Sequence, residues 1–224
     1  MRRWLRRPGE YDWVAEQLVR RGVSDAEVLR AMRAVPREAF LPAELRHLAY
    51  QDGALPIGRG QTISQPYIVA RMTEVLAMPE WREAHEGERP KVLDVGTGSG
   101  YQAAILAEMG ARVVSIELEP ELADRARRTL SELRYDVDIR VGDGSAGAPD
   151  EAPFAGIVVA AAAPHIPVPL VDQLLPDGRL VIPIGTLFEQ VITLVRRTDD
   201  GFTQEPVEPA VFVPLLGEHG FGER

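Results

Sequence analysis

The chain has 224 residues, of which 45% are hydrophobic and 26% are charged, and it contains no cysteine. That length suits one α/β domain with a sizeable core, and the absence of cysteine excludes disulfides, thiolate catalysis and cysteine-ligated metals. The formal net charge of −9 at pH 7 argues against a general nucleic-acid binder, because neutralising phosphates requires a basic surface.

The amino terminus carries four arginines, at positions 2, 3, 6 and 7, but no apolar core of signal-peptide length follows them. We interpret this basic patch as a solvated terminus. No later stretch approaches the roughly 20 apolar residues that span a bilayer. We therefore expect a cytoplasmic protein, acting as a monomer, with neither a membrane nor a nucleic acid as its partner.

Helical periodicity dominates residues 1–81, which we predict to form a helical extension within a single domain of residues 1–224. Ser24 and Glu27 have the spacing of a capping box, which predicts that Ser24 opens a helix ending before Pro36. Residues 80–90 are rich in charged side chains, and we interpret them as a linker.

Residues 51–66 are rich in glycine, proline and polar side chains, and they form a long connection. Loops of this length are usually functional or disordered. The apolar residues Leu55, Ile57 and Ile63 favour an ordered loop that docks on the domain. Pro66 suits the first position of a helix that reaches about residue 76.

From Lys91 onward, short apolar strands alternate with helices, which is typical of a parallel sheet covered on both faces. The pattern predicts a doubly wound, mostly parallel, Rossmann-like α/β core over residues 91–216. We predict five strands, at 91–95, 112–117, 138–141, 156–160 and 179–183. We predict helices at 100–109, 120–133 and 169–175.

Two later β-rich runs, 190–197 and 209–214, lie on either side of the sequence Asp199-Asp200-Gly201. This arrangement predicts an antiparallel pair of strands at the carboxyl-terminal end of the core. We expect the tail from Gly217 onward to be loose.

The first strand of the core runs into a glycine-rich turn, Asp94-Val95-Gly96-Thr97-Gly98-Ser99-Gly100. In a doubly wound sheet the ligand lies beyond the carboxyl ends of the strands, at such a turn. Glycine permits positive φ and lets the backbone approach a ligand without an intervening Cβ. The turn therefore predicts a nucleoside cofactor, although an ordinary tight turn remains the alternative.

Three details favour S-adenosylmethionine over a dinucleotide. The spacing Gly-x-Gly-x-Gly departs from the pyrophosphate fingerprint Gly-x-Gly-x-x-Gly, since Tyr101 stands in the place of the third glycine. Asp94 would repel a pyrophosphate but is compatible with the ammonium of a methionine group. Glu117 ends the second strand, where an acid accepts hydrogen bonds from ribose hydroxyls. Because NAD enzymes share that last feature, an NAD or FAD enzyme is the main rival.

An acid also follows the third strand, in the sequence Gly142-Asp143-Gly144. Asp143 could bind the amino group of adenine there, although an Asp-Gly turn is a common structural alternative. The predicted cofactor-binding residues are Asp94, Gly96, Thr97, Gly98, Gly100, Glu117, Leu118, Asp143 and Gly144.

Several segments together resemble the protein-L-isoaspartate O-methyltransferase family, in order and spacing, over nearly the whole chain. The stretch Thr62-Ile63-Ser64 is the most specific of them. The chain departs from the usual family pattern at Ala155 and Ala160. The matching segments are Gly60-Gln61-Thr62-Ile63-Ser64-Gln65-Pro66, Val92-Leu93-Asp94-Val95-Gly96-Thr97-Gly98-Ser99-Gly100-Tyr101, Val141-Gly142-Asp143-Gly144, Ala161-Ala162-Ala163-Pro164 and Gly178-Arg179-Leu180-Val181-Ile182-Pro183-Ile184-Gly185.

The resemblance implies a repair enzyme that methylates the α-carboxyl of L-isoaspartyl residues in damaged peptides and proteins. It also implies that Ser64 is the active-site residue and that Gln61, Thr62 and Ile63 belong to a loop covering cofactor and peptide. The hydroxyls of Thr62 and Ser64 could instead cap the loop. A small-molecule O-methyltransferase and a non-catalytic cofactor-binding adaptor are the alternative functions.

Methylation of a carboxylate needs alignment more than proton transfer. A carboxyl group with a pKa of about 4 is ionised at neutral pH, so no general base is required. Ser64 would donate its hydroxyl proton to one carboxylate oxygen and so direct the other toward the methyl group. The four histidines show no metal-binding spacing, and we expect no metal.

Overall fold

The computed structural model describes residues 12–198 and 201–222, and within these ranges helices and strands are arranged as in an α/β fold. The helices are α1 (Trp13–Gln17), α2 (Ala26–Ala34), α3 (Pro66–Leu76), α4 (Met78–Ala84), α5 (Tyr101–Glu108), α6 (Pro120–Glu132) and α7 (Val168–Asp172). The strands are β1 (Leu55–Gly58), β2 (Gln61–Ile63), β3 (Lys91–Val95), β4 (Arg112–Glu117), β5 (Val137–Val141), β6 (Phe154–Val159), β7 (Leu174–Gly185), β8 (Gln190–Thr198) and β9 (Gly201–Ala210).

Strands β3 to β9 form one sheet in the order β5-β4-β3-β6-β7-β8-β9. Neighbouring strands from β5 across to β7 are parallel, whereas β8 and β9 continue the sheet antiparallel. The predicted doubly wound, mostly parallel sheet with an antiparallel end is therefore confirmed. The strand order reverses between β3 and β6, which is the point where such sheets bind their ligands.

Both faces of the sheet are covered. The apolar residues of β6 are buried throughout, as expected for a central strand of a parallel sheet. On one face, α2, α3, α5 and α6 share a single hydrophobic cluster with the sheet. On the other face, α7 and the loops after β5 and β6 pack over a second cluster. The helical extension is thus part of the same core as the strands.

The loop at residues 51–66 is ordered, as predicted, and contains a short hairpin. Strands β1 and β2 pair antiparallel, with Leu55 opposite Ile63. Ile57 and Ile63 are buried in the main hydrophobic cluster, so the hairpin is anchored by its apolar residues. Helix α3 begins at Pro66, also as predicted.

The predicted capping box is wrong. Asp25 caps α2, and its carboxylate accepts hydrogen bonds from the N–H groups of Glu27 and Val28 at 2.8 and 3.0 Å. The Ser24 N–H donates instead to the carboxylate of Glu74 in α3, at 2.7 Å. The tertiary contact with α3 outweighs the local motif. The linker predicted at 80–90 is also partly wrong, because its first residues belong to α4.

The last predicted strand is also wrong. Strand β9 ends at Ala210, and residues 211–216 leave the sheet. Pro206 and Pro209 make the sequence of β9 look unlike a strand, because proline has no N–H to donate. An edge strand nevertheless tolerates proline, since one side of its backbone needs no partner. Asp199 and Asp200 of the predicted turn lie outside the described residues, as does the arginine patch at positions 2, 3, 6 and 7.

The tail beyond Gly217 was expected to be loose, but it is docked as far as the structure describes it. The Glu218 N–H donates to Asp143 at 2.8 Å, and the His219 N–H donates to the Ser145 hydroxyl at 3.0 Å. These bonds hold the tail against the loop that follows β5. In residues 12–198 and 201–222, no helix is both long enough and apolar enough to cross a membrane.

The capping bonds of α2 predict that alanine substitutions at Asp25 and at Ser24 lower the free energy of unfolding by different amounts. Asp25→Ala removes both cap bonds and should lower the free energy of unfolding by about 1 kcal/mol. Ser24→Ala keeps the main-chain hydrogen bond to Glu74 and should lower the free energy of unfolding by less than Asp25→Ala does. Urea unfolding followed by circular dichroism measures both. A larger loss for Ser24→Ala would mean that the capping assignment is wrong.

Candidate active site

A cavity of about 400 Å³ opens at the carboxyl ends of β3 and β4. That volume lies within the range of about 300 to 1,000 Å³ that is common for small-molecule sites. One wall is the glycine-rich turn after β3, and a second wall is the end of the β1–β2 hairpin. The third wall is residues 208–216, which are the end of β9 and the segment that follows it.

The turn between β3 and α5 adopts the conformation that its glycines predict. The φ angles of Gly96, Gly98 and Gly100 are 87°, 53° and 90°, in the left-handed region that favours glycine. The N–H groups of Gly96 and Thr97 both donate to the carbonyl of Ile116 in β4. Strand β4 therefore fixes the shape of the turn.

Three of the predicted residues of this turn, Gly96, Thr97 and Gly98, line the cavity. Gly100 does not line it. A Cβ at Gly100 would lie 3.1 and 3.3 Å from atoms of Leu130 and Ala126 in α6. Gly100 therefore allows close packing of the turn against α6, which is a different role from the one predicted.

Glu117, at the end of β4, lines the cavity next to the turn. Its carboxylate accepts hydrogen bonds from the N–H groups of Gly98 at 2.7 Å and Glu119 at 3.0 Å. Each carboxylate oxygen keeps a further lone-pair site, so both can still accept from ligand hydroxyls. Leu118, the next residue, lines the cavity with a largely exposed side chain.

Asp94 lies beneath the turn rather than on the cavity wall. Its carboxylate is fully buried and accepts one hydrogen bond, from the Ser115 hydroxyl at 2.7 Å. Ser115 is also 2.5 Å from the hydroxyl of Thr97, which does line the cavity. The other oxygen, Oδ1, has no hydrogen-bond partner among the described residues.

Burial raises the pKa of the Asp94 carboxyl from 3.8 to about 7. The hydrogen bond from Ser115 acts in the opposite direction, and the negative charge of Glu117 adds to the rise. A buried carboxylate with one unpartnered oxygen favours the neutral form until a cation or a hydrogen-bond donor arrives. A positive charge nearby would therefore favour the ionised form of Asp94.

Asp143 also lies off the cavity wall. One of its carboxylate oxygens accepts from the N–H and hydroxyl of Ser145 at 2.8 and 2.6 Å, and the other accepts from the N–H of Glu218. Partial burial acts to raise the pKa of Asp143, but these hydrogen bonds outweigh it and lower that pKa. The structure places the predicted adenine-binding acid in contact with the carboxyl-terminal tail.

Gly144 does line the cavity, and its lack of a side chain has a packing reason. A Cβ at this position would lie 2.5 Å from a methyl carbon of Val95, at the end of β3. An alanine fits there only if the side chain of Val95 moves. Gly144 therefore lets the loop after β5 approach the glycine-rich turn.

Ser64 lies directly after β2 and faces the same cavity as the turn, together with Gln61, Thr62 and Ile63. Its carbonyl accepts a hydrogen bond of 2.9 Å from Arg37, whose side chain is fully buried. The prediction of candidate site residues missed Arg37. An arginine placed after Pro36 looks in sequence like an ordinary charged residue at a helix end.

A polar cluster near the hairpin was also not predicted. The guanidinium of Arg21 lies 3.4 Å from the ring centroid of Tyr67 and 3.3 Å from the carboxylate of Asp52. The Tyr67 hydroxyl donates to Glu208 at 2.7 Å. Arg21 and Glu208 both line the cavity, yet they are far apart in sequence, and no local motif indicates that Tyr67 contacts both.

Gln190 does not line the cavity, but it supports the third wall. Its side-chain nitrogen donates to the carbonyl of Thr186, and its side-chain oxygen accepts from the N–H of Phe212. These bonds hold residues 211–213 beside the turn between β7 and β8. Among the side chains that the structure describes, no three histidine, aspartate or glutamate groups come together as a metal site.

Comparison with known proteins gives consistent results. Residues 11–220 match the family described as Protein-L-isoaspartate(D-aspartate) O-methyltransferase (PCMT). The chain is 52% identical over 207 residues to a protein-L-isoaspartate O-methyltransferase of Gloeobacter violaceus, covering 92% of this chain and 97% of that protein. It is 51% identical to one of Aeropyrum pernix, covering 94% and 80%.

Two solved structures share the fold. A protein-L-isoaspartate O-methyltransferase superimposes with a TM-score of 0.80 at 26% identity, covering 92% of this chain and 66% of that chain. A Plasmodium falciparum protein named as a β-aspartate methyltransferase was solved with S-adenosyl-L-homocysteine. It superimposes with a TM-score of 0.73 at 26% identity, covering 90% and 96%.

The raised pKa of Asp94 predicts a pH dependence of stability. The folded protein holds this proton more tightly than the unfolded chain, so the contribution of Asp94 is fully present below pH 3.8 and is lost as the pH rises through about 7. Asp94→Asn is neutral throughout. The free energy of unfolding of the wild type, minus that of the variant, should fall by about 1.4 kcal/mol for each pH unit between pH 4.5 and about 7, and should level off above that.

Urea titrations of both proteins at pH 4.5, 6 and 8 provide the measurement. Because all other groups are common to the two proteins, their titration cancels in the difference. A difference that stays constant over this range would contradict a raised pKa of Asp94.

Proposed function

Because the chain belongs to the protein-L-isoaspartate(D-aspartate) O-methyltransferase family, we propose that it carries out that family's reaction in the cavity between the glycine-rich turn and Ser64. The chain is an S-adenosylmethionine-dependent methyltransferase that acts on the α-carboxyl of L-isoaspartyl residues in damaged proteins. The site is assigned to this cavity because the glycine-rich turn and Ser64 both line it, although more than thirty positions separate them in sequence.

The residues around the turn fit S-adenosylmethionine. When bound, this cofactor supplies an electrophilic methyl group on a positively charged sulfur. Gly96 and Gly98 leave room for it, the free lone pairs of Glu117 would accept from the ribose hydroxyls, and Leu118 would contact the base. The unpartnered oxygen of Asp94 would balance the positive charge from below the turn.

The two acids that do not line the cavity have indirect roles in this proposal. Asp94 would act through Ser115 and Thr97, since its carboxylate is linked to them by hydrogen bonds. Asp143 would hold the tail and the loop that carries Gly144, and Gly144 would lie against the cofactor.

Ser64 would orient the acceptor. Its hydroxyl donates to one oxygen of the substrate carboxylate and leaves the other oxygen free to attack. That oxygen forms a bond to the methyl carbon as the carbon–sulfur bond breaks, so opposite charges disappear and no proton moves. Positioning of this kind can supply several orders of magnitude in rate, because it replaces a bimolecular encounter by a fixed geometry.

The product explains why one methyl transfer leads to repair. In the methyl ester the carboxyl carbon carries methoxide as a leaving group, which departs far more readily than oxide. The next backbone nitrogen attacks this carbon to form a succinimide, and water then opens the ring partly to normal aspartate. The protein acts once per cycle, and the remaining steps need no catalyst.

The polypeptide substrate gains little from long-range attraction, because both the protein and the acceptor carboxylate are negatively charged. Selectivity would therefore come from the cavity walls, above all from the hairpin and from residues 208–216. We also propose a monomer in the cytoplasm, which suits a chain without cysteine.

A methyl-transfer assay tests the proposed function. Labelled S-adenosylmethionine is incubated with an isoaspartyl peptide and, as the control, with the same peptide carrying normal aspartate. The isoaspartyl peptide alone should become labelled. Equal labelling of both peptides would favour a broader O-methyltransferase, and no labelling of either, with cofactor still bound, would favour a non-catalytic adaptor.

The same assay tests the role of Ser64. Ser64→Ala should lower kcat/KM for the peptide by about 100-fold, because the acceptor is no longer oriented. Calorimetry should show unchanged affinity for adenosylhomocysteine. Ser131→Ala, on the exposed side of α6, is the matched control and should behave as wild type. A large loss of cofactor affinity in Ser64→Ala would contradict the assigned role.

A further inference from the structure

Arg37 is a fully buried cation that the reaction described above does not use. It makes no ion pair with any carboxylate of the described residues. Its hydrogen bonds go instead to main-chain carbonyls, which are neutral. Burying a charge is costly unless it is well paired, so a buried arginine bound only to carbonyls calls for an explanation.

The three carbonyls come from the chain segment that builds the hairpin wall. The Arg37 guanidinium donates to the carbonyl of Ala49, to that of Gly53 at 3.3 Å and to that of Ser64 at 2.9 Å. A planar guanidinium presents several N–H donors in a rigid fork, so one side chain can donate to carbonyls at three places along the main chain. Arg37 thus ties both ends of the hairpin loop together.

The bond to Ser64 also fixes the orientation of one peptide group. In a planar trans peptide the carbonyl and the following N–H point in opposite directions. Since the Ser64 carbonyl points to Arg37, the Gln65 N–H points away from it. Ser64 and Gln65 both line the cavity, and the Gln65 N–H donates to no acceptor in residues 12–198 or 201–222.

We propose that Arg37 is a positioning residue for the methyl acceptor, because it holds the Ser64–Gln65 peptide group so that the Ser64 hydroxyl and the Gln65 N–H form a pair of donors for one carboxylate. A carboxylate offers two oxygens with about four lone-pair sites, which suits two adjacent donors. This inference rests on the proposed function, since it adds a second donor to the same acceptor site.

Two variants at Gln65 separate this role from mere support of the fold. Gln65→Pro removes the N–H, and its φ of −51° is one that proline adopts. Gln65→Ala removes the same side chain, with its bond to Asp52, but keeps the N–H. The pair therefore differs in the proposed donor.

In this comparison, KM for the isoaspartyl peptide should be about tenfold higher, or more, in Gln65→Pro than in Gln65→Ala, because a hydrogen bond to a charged group is lost. The change in kcat should be smaller, and the affinity for adenosylhomocysteine should be equal. A purely structural defect would lower the amount of active protein, and so kcat, without raising KM. Equal KM values for the two variants would overturn the proposal.

Arg37 itself is tested by Arg37→Lys, which keeps the charge but loses the fork. Arg89→Lys is the matched control, since Arg89 also donates to two main-chain carbonyls, of Gly110 and Ala111, away from the cavity. Only Arg37→Lys should raise KM for the peptide. Combined with Gln65→Pro, it should raise KM by less than the product of the separate effects.

If Arg37→Lys combined with Gln65→Pro multiplied the separate effects in full, Arg37 would not act through this peptide group. If Arg37→Lys does not fold, the comparison of the two Gln65 variants still tests whether the Gln65 N–H is a donor for the substrate carboxylate, which the proposal requires. Failure of the proposed function is distinct, because it would show as wild-type protein that does not methylate the isoaspartyl peptide.

Discussion

The packing of Tyr101 joins the two halves of the site. Tyr101 is the first residue of α5, directly after the glycine-rich turn, and it is almost fully buried. Its ring packs edge-on against Phe40 at 5.4 Å and lies 5.8 Å from the guanidinium of Arg37. The amino-terminal extension therefore packs against the helix that begins at the glycine-rich turn, and Ser64 lines the same cavity as that turn.

The three walls of the cavity have separate origins. Parallel strands β3 and β4 end together and fix the glycine-rich turn through the carbonyl of Ile116. The hairpin wall is tied to the core by Ile57, Ile63 and the three carbonyl bonds of Arg37. The third wall is the end of β9 with the segment after it, and it depends on the hydrogen bonds that Gln190 makes to Thr186 and Phe212. Such a division allows the peptide-facing walls to differ without altering the cofactor turn.

The sheet, the glycine-rich turn and the ordered loop at 51–66 could be predicted because each has a local pattern in the sequence, whereas Ser64 was indicated only by the family resemblance. No local pattern predicts the contacts of Arg37, Arg21 and the docked tail, since their partners lie far along the chain and belong to no motif. Asp94 and Asp143 were correctly placed at strand ends, but a strand-end position does not say which way a carboxylate faces. That depends on competing donors, here Ser115 for Asp94, and Ser145 and Glu218 for Asp143.

In the proposed reaction, one cavity holds the methyl donor and the acceptor together. A crystal structure of the protein with adenosylhomocysteine and an isoaspartyl peptide tests it most directly. We expect adenosylhomocysteine above Gly96 and Gly98 with its ribose on Glu117, and the peptide carboxylate about 3 Å from the Ser64 hydroxyl. A ligand bound elsewhere, or a carboxylate remote from Ser64, would contradict it.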